Sequence, residues 1–123
     1  MLVTGAVGAL RTEEERWLLE LQLWVVSCGA STWIIDLEPY EPCRVAGLVK
    51  SLLIHPANGL IEALITDGTG EVVAQWALRR PTPELSVAPG TRVVLEGMAA
   101  VGAEQELILT EPRHESVSFP EFA

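Results

Sequence analysis

The chain has few of the residues from which metal and disulfide sites are built. It contains two cysteines and two histidines among 123 residues, and none of the four is spaced as a metal-ligand pair. Two thiols cannot form the disulfide network on which small secreted scaffolds depend, so a reduced, cytoplasmic setting is the simpler interpretation. We therefore expect no metal, no cofactor and no disulfide framework.

Motifs for nucleotide-dependent or hydrolytic catalysis are also missing. The glycine-containing segment 5–10 lacks the Lys-Ser/Thr pair that completes a phosphate-binding loop, and no GxSxG motif occurs. No two carboxylates have an evident reason to differ in pKa. Asp67 is the most suggestive acid, but as the first residue of an Asp-Gly-Thr-Gly segment it is better explained as bonding to its own backbone. We predict that the protein is not an enzyme and has no small-molecule substrate.

No apolar run is long enough to cross a membrane. The most apolar stretch, residues 21–35, has roughly 15 residues where a spanning helix needs about 20, and Gly29 interrupts it. The N-terminus also lacks the charged region and apolar core of a secretory signal. These features predict a protein without a membrane span or a signal peptide.

Basic charge is scarce, and the net charge is −9 at pH 7. Such a charge works against attracting a polyanion through the overall field. The acidity is concentrated at the two ends. Residues 1–42 carry two basic side chains against seven acidic ones, residues 43–113 carry six against eight, and residues 114–123 add two acids. The central module is therefore nearly neutral.

An amphipathic element precedes that module. Thr12 and Glu15 form a capping-box signature, and Gly29 is a suitable residue just after a helix end. One predicted helical face comprises Trp17, Leu21, Trp24 and Cys28. Because "LELQLWV" also alternates with period two, a strand is the competing interpretation. Further apolar residues occupy other sides of the helix: Leu18, Leu19, Leu23 and Val26. The element is therefore either wrapped by the domain or shared with a second copy, and we expect a homo-oligomer.

Five apolar segments with turn signals between them follow a proline-bearing connector. They span residues 43–54, 60–65, 71–76, 91–101 and 106–110, and the first is long and bends at Gly47. The second and third flank "DGTG", which predicts a β-hairpin with Ile65 and Val72 pointing inward. A positive φ at Gly70 would make Gly70→Val destabilising, since β-branched residues resist that region. Five short strands of this kind favour a small closed barrel.

The segments "VAGLV", "DGTG", "VAQW", "PG" and "VVLEG", in this order, resemble an OB-fold nucleic-acid-binding domain. The chain is similar to the wedge-type OB domains of bacterial fork-remodelling helicases. It is closer to short free-standing OB proteins of actinobacteria, which also carry a helix before the barrel. The resemblance implies an all-β core, a five-stranded OB-fold barrel over residues 43–113, preceded by an N-terminal α-helix and connector (1–42) and followed by a flexible tail (114–123). One departure is the proline-rich connection 78–90, which is too short for the helix that many OB folds place there.

The resemblance further implies a nucleic-acid groove across the second and third strands, flanked by the loops 55–59 and 101–106. The adjacent pair Arg79 and Arg80 is the candidate phosphate contact. The other candidate binding residues are Lys50, Arg92, Gln75 and Trp76, of which Trp76 has a core position as its alternative. The hairpin otherwise lacks the exposed aromatic residues on which single-stranded bases stack.

Two functions therefore remain open from the sequence. One is weak, sequence-tolerant binding of single-stranded DNA or RNA, which the resemblance favours. The other is a protein-interaction or assembly module that oligomerises, which the acidity and the broadly apolar N-terminal element favour.

Overall fold

The computed structural model describes residues 12–30, 32–77 and 87–116 of the protein. One α-helix, a short 3₁₀ turn (Ile34–Asp36) and six β-strands lie in these ranges. They are α1 (Glu13–Ser27), β1 (Pro42–His55), β2 (Leu60–Thr66), β3 (Glu71–Ala77), β4 (Arg92–Val101), β5 (Leu107–Thr110) and β6 (Arg113–Ser116). The first five strands correspond to the five apolar segments of the sequence.

The first element is a helix, and its capping residues explain why. The Glu15 backbone N–H donates to Thr12 Oγ1 (3.1 Å), and the Thr12 N–H donates to Glu15 Oε1 (3.0 Å). Gly29 follows the helix with φ 71°, a left-handed conformation that favours glycine. The start and stop signals therefore outweigh the period-two alternation, and the strand alternative is wrong.

The strands close into a ring. Their order is β1-β2-β3-β5-β4, and β1 also pairs with β4. All these pairings are antiparallel except the one between β3 and β5. This connectivity confirms the predicted five-stranded OB fold with an N-terminal helix.

The length of β1 is what allows the ring to close. Its first half pairs with β4 and its second half with β2, with an irregularity in register between Val49 and Ser51. Gly47 lies where the chain changes partners, and a Cβ there would be 2.6 Å from the Thr66 carbonyl oxygen and 2.8 Å from Ile65 Cγ2. Glycine is therefore required by the close approach of β2.

The first residues of the expected flexible tail form a strand instead, and residues 117–123 lie outside the described residues. Residues 114–116 continue β6, which pairs with Val93–Glu96 of β4. The physical reason is that β4 is longer than β5. Because β5 pairs only with residues 99–101, it leaves the edge of the first half of β4 open to another strand.

Two apolar clusters hold the fold together. The barrel interior contains residues from all five ring strands, and Ile34 and Leu37 of the preceding segment join them. The second cluster lies outside the barrel, where Leu21, Trp24 and Val25 of α1 pack on Ala46 and Val94. Trp17, predicted on the buried face, is instead 42% exposed.

Candidate functional site

The turn of the β2–β3 hairpin is organised by a buried carboxylate. Asp67 is fully buried, and its Oδ1 accepts hydrogen bonds from the Thr69 N–H (2.9 Å) and the Thr69 hydroxyl (2.6 Å). Its Oδ2 accepts from the Ile34 N–H (2.8 Å). The prediction that Asp67 bonds the turn backbone is confirmed. The hydrogen bond from the Ile34 N–H also joins the turn to the N-terminal segment.

The left-handed glycine of this turn is Gly68, with φ 91°, and not Gly70. The expected destabilisation by Gly70→Val therefore loses its basis. Ile65 and Val72, which flank the turn in register, are buried as predicted.

The outward surface of β2 and β3, which we call the hairpin face, has polar groups that bond to one another. Glu62 accepts from Gln75 Nε2 through Oε2 (2.7 Å), and its Oε1 lies 3.1 Å from His55 Nε2. Lys50 Nζ lies 2.6 Å from Glu71 Oε2. Lys50 and Gln75, two of the predicted binding residues, are thus both bonded to acidic side chains.

The centre of the hairpin face is apolar. Leu64, Val73 and Ile108 are cross-strand partners and form a half-buried row across β2, β3 and β5. No aromatic side chain of β2 or β3 faces outward. This face therefore lacks the stacking platform that single-stranded bases usually require.

Two predicted binding residues lie away from this face. Trp76 is only 7% exposed, and its Nε1–H donates to the Pro112 carbonyl oxygen (2.9 Å), so it takes the core position that the sequence offered as its alternative. The alternation that places Val72 and Ala74 inside the barrel also places Trp76 there. Arg92 lies over the ring of Trp24 in α1, 5.3 Å from its centroid, and burial lowers the pKa of its guanidinium. The structure does not group it with Lys50 and Gln75. Arg79 and Arg80 lie outside the described residues.

A second surface was missed by the sequence analysis. An open groove of about 840 Å³ runs over β4, the start of β1 and the β5–β6 junction. We call it the Tyr40 groove. Its principal side chains are Tyr40, Arg44, Glu96, Met98, Glu111 and Arg113. Tyr40 is 64% exposed and Met98 is 48% exposed.

The groove contains two arginines around one carboxylate. Arg44 Nη1 lies 2.6 Å from Glu96 Oε2, and Arg113 Nη2 donates to Glu96 Oε1. The hydrogen bond from Arg113, followed by that from Arg44, lowers the pKa of Glu96 below its usual value. The carboxylate is therefore ionised at neutral pH, and the three side chains together carry one net positive charge.

Two residues that line the groove have an uncommon backbone conformation. Tyr40 has φ 66° and Glu111 has φ 51°, in the left-handed region that non-glycine residues seldom occupy. Each is held by a backbone hydrogen bond of 2.7 Å, from the Tyr40 N–H to the Ala99 oxygen and from the Glu111 N–H to the Gln75 oxygen. A sequence feature that could have drawn attention to Tyr40 is "EPYEP", which places the single tyrosine of the chain between two prolines.

No other site chemistry emerges from the described ranges. Within residues 12–30, 32–77 and 87–116, no three metal-ligating side chains come together. No helix in the same ranges is long and apolar enough to cross a membrane. The two cysteines form no disulfide with each other, and burial raises the pKa of the Cys43 thiol.

Comparison with known proteins identifies the fold. No protein-family model and no curated protein matches the chain. An OBody bound to hen egg-white lysozyme is 14% identical, with a TM-score of 0.58, and the match covers 72% of this chain and 94% of that one. A Replication Protein A heterotrimer bound to ssDNA is 11% identical, with a TM-score of 0.54, covering 70% and 75%. A putative aspartyl-tRNA synthetase from Leishmania major Friedlin is 13% identical, with a TM-score of 0.51, covering 65% and 18%. The chain has an OB fold.

Proposed function

We propose that the protein is a non-enzymatic OB-fold module that binds single-stranded nucleic acid weakly and with little regard to sequence. One observation carries this proposal. Helix α1 packs on the outer side of β1 and β4, at Ala46 and Val94, and contacts the β2–β3 hairpin at its turn, where Gln22 Nε2 donates to the Asp67 oxygen (3.5 Å). The outward side chains along β2 and β3, on the surface through which OB folds bind oligonucleotides, remain partly exposed. The likeness to a Replication Protein A heterotrimer bound to ssDNA supports the same ligand class.

Weak binding follows from the charges. The whole chain carries −9, and Lys50 on the hairpin face is already paired with Glu71. Attraction to phosphate must therefore come from local cations and not from the overall field. Within OB proteins, we infer a cytoplasmic type with a helix before the barrel.

Fluorescence anisotropy tests the proposal directly. Labelled single strands of DNA and of RNA are titrated with the protein at two salt concentrations. Contact with phosphates releases counterions, so the affinity should fall as salt rises. Absence of binding at low salt, for both DNA and RNA, would contradict the proposal.

Arg79 and Arg80 provide a sharper prediction. They are the only adjacent basic pair in the sequence, and Arg79 comes two residues after the end of β3. Changing both to Glu should lower the affinity and flatten the log–log salt slope by roughly 1.4, at about 0.7 per lost contact with a single strand. The matched control is Arg11→Glu with Arg16→Glu, which changes the net charge equally in the N-terminal segment. Equal losses in the two double variants would mean that only net charge matters.

A second candidate function is a protein-interaction module that assembles with copies of itself. The specific observations in its favour are the apolar row of Leu64, Val73 and Ile108 and the exposed apolar side of α1. The likeness to an OBody bound to lysozyme supports protein recognition by such a barrel. If neither DNA nor RNA binds, this function replaces the first.

A further inference from the structure

We propose that the Tyr40 groove is a nucleotide-binding subsite, in which the ring of Tyr40 stacks on one base and Arg113 contacts the adjoining phosphodiester. This inference rests on the proposed binding of single strands and locates where they are held. It adds a stacking contact, over β4 and the β5–β6 junction, to the binding proposed for the hairpin face, which the groove adjoins where the Glu111 N–H donates to the Gln75 oxygen.

The aromatic side chain is the first reason. Base–aromatic stacking is the main sequence-tolerant interaction of single strands with OB folds. The hairpin face offers no outward aromatic residue, since Trp76 is buried in the core. Tyr40 is 64% exposed and lines an open groove together with the flexible side chain of Met98. A base entering the groove therefore meets a flat ring beside an apolar side chain.

The charge of the groove is the second reason. Arg44, Arg113 and the ionised Glu96 sum to one positive charge, and Glu111 brings the formal charge of the whole lining to zero, so attraction to a phosphodiester is local to the exposed Arg113. The Arg113 side chain is 83% exposed while one of its nitrogens donates to Glu96. A guanidinium has five N–H donors in a planar fork, so Arg113 can keep this partner and still reach a phosphate. The other acid lining the groove, Glu111, accepts the Ala77 N–H through Oε2 (2.7 Å).

Backbone conformation is the third reason. Left-handed non-glycine residues are uncommon, and such strained positions cluster at ligand sites. Tyr40 and Glu111 lie on opposite rims of this one groove, with φ 66° and 51°. A largely exposed tyrosine gains little packing in return for that conformation. The left-handed conformation of Tyr40 is explained if it presents the ring to a ligand.

Variants of Tyr40 separate binding from stability. Tyr40→Phe keeps the ring, whereas Tyr40→Asn removes it and tolerates the left-handed backbone well. Tyr40→Asn should weaken binding of a labelled single strand about fivefold or more, the loss expected for one stacked base. Its urea midpoint should equal or exceed that of the parent, because strain is relieved. Tyr40→Phe should match the parent in both measurements.

Arg113→Gln tests the phosphate contact. It should lower the affinity and flatten the log–log salt slope by about 0.7, the effect of one lost contact. Arg16→Gln on the exposed side of α1 removes the same charge and serves as the control, with a smaller effect on the slope.

The outcomes distinguish this inference from the function on which it rests. If the parent binds single strands while Tyr40→Asn and Arg113→Gln bind as the parent does, the groove is not the subsite and the proposed function stands. If the parent binds neither DNA nor RNA, the proposed function fails and this inference fails with it. Loss of binding in Tyr40→Asn together with loss of folding would mean that the ring is structural.

Discussion

The buried carboxylate of Asp67 helps to join the N-terminal segment to the barrel. Asp67 is the one buried charged side chain among the described residues, and it accepts hydrogen bonds from Ile34 and Thr69. The Ile34 side chain lies in the barrel core, so the hydrogen bond fixes the point at which the preceding segment enters the core. The contact explains why a polar residue is tolerated at full burial.

Replacing Asp67 should therefore destabilise the whole fold. Asp67→Ala leaves the N–H groups of Ile34 and Thr69 without their acceptor, and buried unsatisfied groups cost about 1–3 kcal/mol each. Asp67→Asn should also destabilise, because its NH₂ group must face one of these donors. Urea unfolding measures the effect, with exposed Asp36→Ala as the control. A change below about 0.5 kcal/mol, as for ordinary surface substitutions, would contradict this assignment.

Individual side chains differ in how well the sequence predicts their positions. The alternation in β2 and β3 correctly predicted the inward positions of Ile65 and Val72. The same alternation buries Trp76, which lies in the core and not on the surface to which the resemblance assigned it. Tyr40 was missed although two prolines flank it in "EPYEP", because the hydrogen bond to Ala99 that holds its left-handed backbone joins residues far apart in sequence. Local patterns report which side of a strand a residue faces, but not what lies opposite it.

At the scale of elements, glycine positions distinguish close packing from turn geometry. A Cβ on Gly47 would lie 2.6 Å from the Thr66 oxygen, and backbone atoms cannot move aside cheaply. At Gly70 the nearest atom would be Ile34 Cγ2 at 3.4 Å, and φ there is not left-handed. The two glycines are therefore unequal, although the sequence placed the greater constraint at Gly70.

Gly47→Ala should destabilise the barrel by about 1–3 kcal/mol, the usual cost of overpacking a tight core. Gly70→Ala is the matched control and should change the free energy of unfolding by less than about 1 kcal/mol. Urea titration of both variants measures the difference. Equal effects would mean that the approach of β2 to β1 at Gly47 does not limit packing.

The strands themselves could be predicted from sequence, but their partners could not. Each of the five segments has the composition and turn signals of a strand. The division of β1 between β4 and β2 arises from contacts far apart in the chain. β6 was missed because Arg113–Ser116 lacks a strong strand pattern and forms only where β4 leaves its edge open.

At the scale of the whole molecule, the distribution of apolar surface bears on function. The barrel buries its interior completely, yet one side of α1 keeps Leu19, Leu23 and Val26 exposed at 41%, 62% and 63%. Their spacing follows one helical face. Large exposed apolar patches usually mark interaction sites. The sequence reached the same expectation from the breadth of the apolar pattern, although it expected Trp17 to be buried.

We expect the protein to associate with itself through the face of α1 that carries Leu19, Leu23 and Val26. Burying three exposed aliphatic side chains against a second copy removes apolar surface from water, which favours association at about 25 cal/mol per Å² before the cost of immobilising the partners. Sedimentation at high micromolar concentration should therefore show a dimer or larger species. Leu23→Lys should shift the species toward monomer, because it introduces a charge at the centre of the face. Ile54→Lys is the control, since Ile54 is similarly exposed at 56% but lies on β1. A parent that remains strictly monomeric at that concentration would rule out self-association through α1 and leave its apolar side to a different partner.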